Sequence, residues 1–128
     1  MGPRRTPDER RVSLQRGAEA EAWVAELLEH QGWAVVARNW TGAGGELDLV
    51  VQRGGALRVV EVKLRAQGDP VGMDAIGATK RRKLIRATEA FLDRYSRDWE
   101  EVCIGLAWVE ADRNGHWSME WIDDAFDG

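Results

Sequence analysis

The chain has 128 residues, a formal net charge of −4 and one cysteine, Cys103. This length suits a single domain with its own hydrophobic core. No apolar run is long enough to cross a bilayer, and a lone cysteine excludes an internal disulfide. We therefore expect a cytoplasmic protein with no membrane contact. The charge is uneven, because residues 98–128 sum to −8 and residues 1–97 to +4, and only the first part is suited to meet a phosphate backbone.

The first predicted element is a helix. Residues 1–12 are rich in arginine and proline and have little to bury, so we predict a flexible basic arm there and a single domain over residues 13–128. Within that domain, residues 14–31 place Val24 and Leu28 on one apolar stripe, which is typical of a helix that packs against a core.

Three β-strands are predicted next, over residues 33–40, 46–53 and 56–64. A glycine-rich turn separates the first two strands. Gly54-Gly55 is a two-residue hairpin signal, so the second and third strands should be antiparallel neighbours.

A second helix is predicted over residues 74–95, followed by strands over residues 102–109 and 116–122, with a turn at Asn114-Gly115 between them. The predicted order is therefore α-β-β-β-α-β-β. This combination of helices and strands in one domain indicates an α/β protein.

The second and third strands carry a cluster of charged residues. Glu61 and Lys63 are two positions apart in one strand, so they share a face, and Asp48 lies on the neighbouring strand of the hairpin. Two carboxylates that converge on a half-buried sheet repel each other, and a divalent cation with a preference for oxygen ligands relieves that repulsion. A metal-activated water beside Lys63 would suit the hydrolysis of a phosphodiester.

Other interpretations of these residues stay open on the sequence alone. A Glu-x-Lys strand is often a solvated face whose ion pair contributes only about 0–1 kcal/mol. A third carboxylate could come from the first helix, where Glu21 and Glu19 lie at opposite edges of the apolar stripe, and the helical wheel does not choose between them.

The combined sequence Gly-Glu-Leu-Asp-Leu at 45–49 and Val-Glu-Val-Lys at 60–63 resembles the YraN family of bacterial proteins. The resemblance extends over nearly the whole chain after residue 13. Its further matches are Gly17 with Glu21, Gly32-Trp33, Arg38-Asn39, Arg65, Lys80 with Lys83-Leu84 and Ala87, and Glu120-Trp121-Ile122 with Asp124-Ala125-Phe126.

This resemblance implies a restriction-endonuclease-like fold of the PD-(D/E)XK superfamily, which includes archaeal Holliday junction resolvases. The implied fold is an α-β-β-β-α-β core with a central mixed sheet flanked by helices. The resemblance also implies Mg²⁺ (or Mn²⁺) bound by Glu21, Asp48 and Glu61, with Asp48, Glu61 and Lys63 as catalytic residues, and so favours Glu21 over Glu19. A homodimer is compatible with this resemblance. Relatives often carry an acid in the fourth strand where this chain has Gly105.

Basic residues predict where nucleic acid would bind. The second helix holds five bases within seven residues, which would suit contacts to phosphates or, equally, a solvated helix surface. The nucleic-acid-binding residues that we predict are Lys80, Arg81, Arg82 and Lys83, together with Arg65.

The leading hypothesis is therefore a metal-dependent nuclease-like protein that hydrolyses DNA, branched or single-stranded, in repair or recombination. The alternative is a non-catalytic nucleic-acid-binding accessory protein that keeps the fold. A third hypothesis is a protein–protein adaptor that uses the acidic C-terminal part.

Overall fold

The computed structural model describes residues 7–66 and 77–123, with side chains from residue 16 onward. It confirms the α/β class and the predicted order of elements. The elements are α1 Pro7–His30, β1 Ala34–Gly42, β2 Gly45–Arg53, β3 Ala56–Ala66, α2 Ala78–Arg94, β4 Glu101–Ala111 and β5 Trp117–Ile122. None of the helices in these ranges combines the length and the apolar character needed to cross a membrane.

The five strands form one sheet in the order β1-β2-β3-β4-β5. Neighbouring strands are antiparallel except β3 and β4, which are parallel because α2 connects them. The predicted central mixed sheet is therefore confirmed.

Each helix covers one face of the sheet. In β3, Val59 packs in a cluster with the α2 residues Leu84 and Phe91, whereas Val60 packs in a second cluster with Leu28 of α1. Since successive strand residues point to opposite faces, α1 and α2 lie on opposite sides of the sheet. The domain thus has three layers, with a separate hydrophobic core on each side of the sheet.

The helix boundaries differ from the predicted ones. α1 begins at Pro7, so the predicted start at residue 14 was wrong, and residues 7–12 of the predicted arm lie in the helix. The periodicity gave no signal there because that stretch holds few apolar side chains. Residues 67–76, with the predicted first turn of the second helix, lie outside the described residues, and the flexibility of an arm over residues 1–12 stays a prediction.

The structure explains the glycine at position 105. A methyl group there would lie 2.8 Å from the carbonyl oxygen of Ile122 and still closer to the indole ring of Trp121. That indole is held in place because its nitrogen donates a hydrogen bond to Asp123 and the guanidinium of Arg58 lies 4.7 Å from its ring centre. Gly105 therefore makes room for a tryptophan, and it does not line the acidic cleft described below.

Replacement of Gly105 by alanine should destabilise the protein, because the added methyl group has no free space and overpacking of a core costs about 1–3 kcal/mol. Urea unfolding would measure the loss. Gly17→Ala is the matched control, since a methyl group at Gly17 meets no atom within 4 Å and favours the helix. The cost at position 105 should fall in a Trp121→Ala background, and an equal cost in both backgrounds would contradict the role of the indole.

Candidate functional site

The site forms where β2 separates from β3. Backbone pairing in this hairpin extends to Leu49 opposite Val60, and the next pair would be Asp48 with Glu61. Instead, the Asp48 carboxylate (Oδ2) accepts a hydrogen bond from the backbone N–H of Val62 at 3.0 Å. A side chain thus takes the place of a neighbouring strand's carbonyl, and the two strands diverge beyond this point.

The backbone around Asp48 is irregular. Leu47 packs in the cluster on the α2 side and Leu49 in the cluster on the α1 side, although residues two apart in a regular strand share a face. On the adjacent strand β1, Asn39 has a φ of 48°, which is uncommon outside glycine. The sheet therefore twists sharply at the level of Asp48, as sheets often do beside functional sites.

The carboxylate of Glu21 reaches this region from α1, on the other face of the sheet. The side-chain amide of Asn39, in the orientation that satisfies it, donates to Glu21 Oε2 at 3.1 Å and to Glu46 Oε1 at 3.2 Å. One amide thus fixes two carboxylates beside Asp48. The sequence alone assigned no role to Asn39, although the dipeptide Arg38-Asn39 was part of the family resemblance.

Two of these carboxylates hold protons more tightly than usual. Burial raises the pKa of Asp48 from 3.8 to about 7, and the negative charge of Glu61 acts in the same direction. Burial also raises the pKa of Glu21 from 4.5 to about 7, with Asp48 and Glu46 adding to the effect. Burial, together with repulsion between the carboxylates, therefore disfavours their charged forms at this site.

Glu61 is the most buried member of the cluster, with a side chain 3% exposed. Its Oε1 lies 2.7 Å from the Nζ of Lys80 and 3.8 Å from the Nζ of Lys63. Lys80 comes from the first turn of α2, so the structure brings a residue that we predicted to bind nucleic acid into direct contact with a predicted metal ligand.

The pKa values of the two lysines beside Glu61 shift in opposite directions, although Glu61 acts to raise both. Burial lowers the pKa of Lys63, and the positive charge of Lys80 lowers it further. Burial acts to lower the pKa of Lys80 as well, but its hydrogen bond and attraction to Glu61 raise it above 10.5. Lys80 therefore retains its proton more strongly than Lys63 does, and Lys63 is the lysine closer to a neutral amine.

A cleft of about 910 Å³ opens over Asp48, Glu61 and Lys80, between the turn after β1 and the first turns of α2. The turn approaches the helix closely at Gly45, where a methyl group would lie 2.6 Å from the carbonyl oxygen of Lys83. Only glycine allows this approach, which holds the cleft wall against α2.

The other predicted nucleic-acid-binding residues are spread around the site. Lys83 lines the cleft, Arg82 is exposed beside it, and Arg81 is half-buried. Arg65 lines a second cleft of about 800 Å³, together with Lys63. The structure thus brings Lys80 and Lys83 to the acidic cleft and places Arg65 outside it.

The predicted metal ligands are adjacent but do not form a ready-made metal centre. Among the side chains described at residues 16–66 and 77–123, no three histidine, cysteine, aspartate or glutamate residues are grouped so that they could hold a metal ion. The carboxylates of Asp48 and Glu61 interact directly, and Glu21 adds a third negative charge beside them. Mg²⁺ is commonly bound by one or two carboxylates with waters and substrate phosphates, so this donor set fits it.

The sequence comparisons agree with one another. The model of the Uncharacterised protein family UPF0102 matches residues 20–113. A UPF0102 protein of Synechococcus sp. (strain JA-3-3Ab) is 47% identical over 97 residues, which cover 73% of this chain and 74% of the relative. UPF0102 proteins of Gloeobacter violaceus and Pseudomonas fluorescens are 42% and 39% identical, covering 86% and 91% of this chain and 90% and 97% of the relatives.

Replacement of Asp48 by asparagine should stabilise the cation-free protein at neutral pH. The folded-state pKa of Asp48 is raised, so the folded protein binds the proton more tightly than the unfolded chain, and the wild-type free energy of unfolding falls as pH rises from about 4 to about 7. The asparagine side chain does not titrate and keeps an oxygen for the Val62 N–H. In urea unfolding with EDTA, the variant should gain roughly 1–3 kcal/mol over wild type across this range.

Glu26→Gln is the control for the loss of one carboxylate, because Glu26 is exposed on the same helix as Glu21. At neutral pH its free energy of unfolding should stay within about 0.5 kcal/mol of wild type. A difference between Asp48→Asn and wild type that is the same at low and neutral pH would contradict the raised pKa.

Proposed function

The chain belongs to the Uncharacterised protein family UPF0102, the YraN family, and we propose that it is a metal-dependent nuclease-like protein that hydrolyses phosphodiester bonds in DNA. One observation carries this proposal. The carboxylates of Asp48 and Glu61 converge with Lys63 where the sheet opens into a cleft, and basic side chains line its rim. This combination suits a phosphate held near a cation and a proton-transferring amine.

The cation that fits this site is Mg²⁺ or Mn²⁺. Asp48 and Glu61 would hold it, with Glu21 as the third carboxylate. These oxygens are hard ligands, and a divalent cation would offset both the burial of these carboxylates and the repulsion of Asp48 with Glu61 and Glu21. When bound, such a cation stabilises the charge of a phosphate under attack and makes a bound water more acidic.

The protein's own groups prepare the site for this chemistry. The hydrogen bond from Val62 fixes the direction of the Asp48 carboxylate, and burial in the sheet fixes Glu61. Burial lowers the pKa of Lys63, which increases the fraction of neutral amine that can accept a proton from water. Lys63 is therefore the proposed catalytic base, with Asp48 and Glu61 as catalytic carboxylates.

The nucleic acid would reach these groups across a basic border. Lys83 and Arg82 lie at the first turns of α2, beside the acidic cleft, while Arg65 lines the neighbouring cleft next to Lys63. Lysine and arginine contacts to phosphates give affinity without sequence preference. A backbone that passes from one cleft to the other would cross Lys63, and the form of DNA that does so, duplex, single-stranded or branched, is decided by the cleavage assay below.

One observation favours the alternative, a non-catalytic accessory protein that binds nucleic acid. The ammonium group of Lys80 already neutralises Glu61, and the carboxylates within the described residues are not arranged as a ready-made metal centre. A site of this kind could preserve the fold and the basic border without turnover. Cleavage and binding assays separate the two functions.

Asp48→Asn, Glu61→Gln and Lys63→Met should each abolish most cleavage. Purified protein would be incubated with duplex, single-stranded and four-way junction DNA in the presence of Mg²⁺ or Mn²⁺. Each variant should lower the cleavage rate by roughly 100-fold or more, the scale on which loss of one catalytic electrostatic contact lowers a rate. The exposed Glu89 on α2 provides the control, since Glu89→Gln should cleave as wild type does.

Absence of cleavage of all three DNA forms by folded wild-type protein would count against the enzyme. If that protein still binds DNA in a salt-sensitive manner, the accessory function is supported. Absence of both cleavage and salt-dependent binding would favour the protein–protein adaptor.

Lys83→Ala and Arg82→Ala should weaken DNA binding to a similar extent for all sequences. Each removes one phosphate contact, so the slope of log affinity against log salt should become shallower by about 0.7–0.9 per variant. Fluorescence anisotropy at several salt concentrations would measure this slope. Arg94→Ala is the matched control, because Arg94 is exposed in the last turn of the same helix. An unchanged slope in both test variants would exclude these residues from the interface.

A further inference from the structure

Lys80 occupies an unusual position for a surface lysine. Its Nζ lies 2.7 Å from Glu61 Oε1, and the Glu61 side chain is only 3% exposed, whereas that of Lys80 is 47% exposed. Lys80 is four residues before the buried Leu84 and seven before the buried Ala87, which places it on the inward face of α2. The ammonium group therefore reaches inward to the carboxylate while its stem stays partly in solvent.

The start of α2 favours this contact electrostatically. The first turn contains no acidic residue, and the N-cap residue Gly77 offers no side-chain hydrogen bond. A lysine in that turn is disfavoured, because the helix dipole already places partial positive charge at this end. Glu61 provides the offsetting negative charge, so the first turn of α2 and the buried carboxylate stabilise each other.

A divalent cation on Glu61 would compete with Lys80 for the same carboxylate. Oε1 is the atom closest to both lysines, at 2.7 Å from Lys80 and 3.8 Å from Lys63. Glu61 is too buried to turn away into solvent, so an exchange of cations requires movement of the half-exposed lysine. Lys80 lines the open cleft and has room on its solvent side.

We propose that Lys80 is a resident counter-cation of the carboxylate site, which a divalent cation must displace from Glu61 and which is then free to pair with a phosphate in the cleft. This inference rests on the proposed function, since it concerns the same site. It assigns Lys80 a regulatory part in cation binding, in place of a simple contact on the helix surface.

Isothermal titration with Mn²⁺ tests the displacement without an activity assay. Lys80→Met keeps the length of the side chain but removes the competing charge, so it should bind Mn²⁺ at least about tenfold more tightly than wild type. Arg94→Met removes an exposed cation in the last turn of the same helix, outside the cleft lining, and its affinity should change less than about twofold. Asp48→Asn should weaken binding and so locates the Mn²⁺ signal.

A thermal melt measures the same competition independently. Without cations, Lys80→Met leaves Glu61 without its closest partner and should lower the melting temperature. Saturating Mn²⁺ should then raise the melting temperature of this variant by more than it raises that of wild type. Lys80→Gln, which keeps a hydrogen-bond donor for Glu61, serves in both measurements if the methionine variant does not fold.

The outcomes distinguish this inference from the proposed function. Equal or weaker Mn²⁺ binding by folded Lys80→Met, with binding by wild type intact, would overturn displacement and leave the metal site standing. Binding by Lys80→Met but not by wild type would support it strongly. Absence of Mn²⁺ binding in both proteins would overturn the inference together with the metal site. Normal Mn²⁺ competition without DNA cleavage would refute the nuclease alone.

Discussion

The site depends on one hydrogen bond, in which the Asp48 carboxylate accepts the N–H of Val62. An unbroken hairpin would place Asp48 opposite Glu61 and continue the ladder, and the intact sheet would separate both from α1. Because the side chain takes part in place of the backbone, the paired ladder between β2 and β3 ends at Leu49 and Val60. Glu21, on α1, interacts electrostatically with Asp48 at this point.

The sequence was sufficient to predict that Asp48 lies opposite Glu61. Side chains alternate between the two faces of a strand, and a two-residue turn at the end of the hairpin leaves only one register for its strands. The same reasoning could not show the twist at Asp48, which puts Leu47 and Leu49 on opposite sides of the sheet. That twist accompanies the left-handed backbone of Asn39, and a non-glycine residue gives little sequence signal for such a conformation. Tertiary packing thus determines the backbone conformation around Asp48 and Asn39, which the local sequence pattern does not specify.

The basic run on α2 shows a different limit of sequence reasoning. Five bases within seven residues suggested one functional surface, but in the folded protein Lys80 contacts the buried Glu61 and Arg81 is half-buried, whereas the other three are exposed. The helical spacing from Lys80 to Leu84 and Ala87 was already visible in the sequence and indicated an inward direction. The density of charge obscured that periodicity. Gly105 was harder to interpret, since its reason lies in Trp121, sixteen residues later in the chain.

The bond from Val62 to Asp48 also gives the protein an internal reporter. Most strand amides donate to a backbone carbonyl, whose charge never changes, whereas this one donates to a group that gains and loses a full charge. The nuclear magnetic resonance frequency of a single backbone amide should therefore record the electrostatic state at the centre of the molecule. No label, ligand or substitution is needed, since the sheet itself carries the probe.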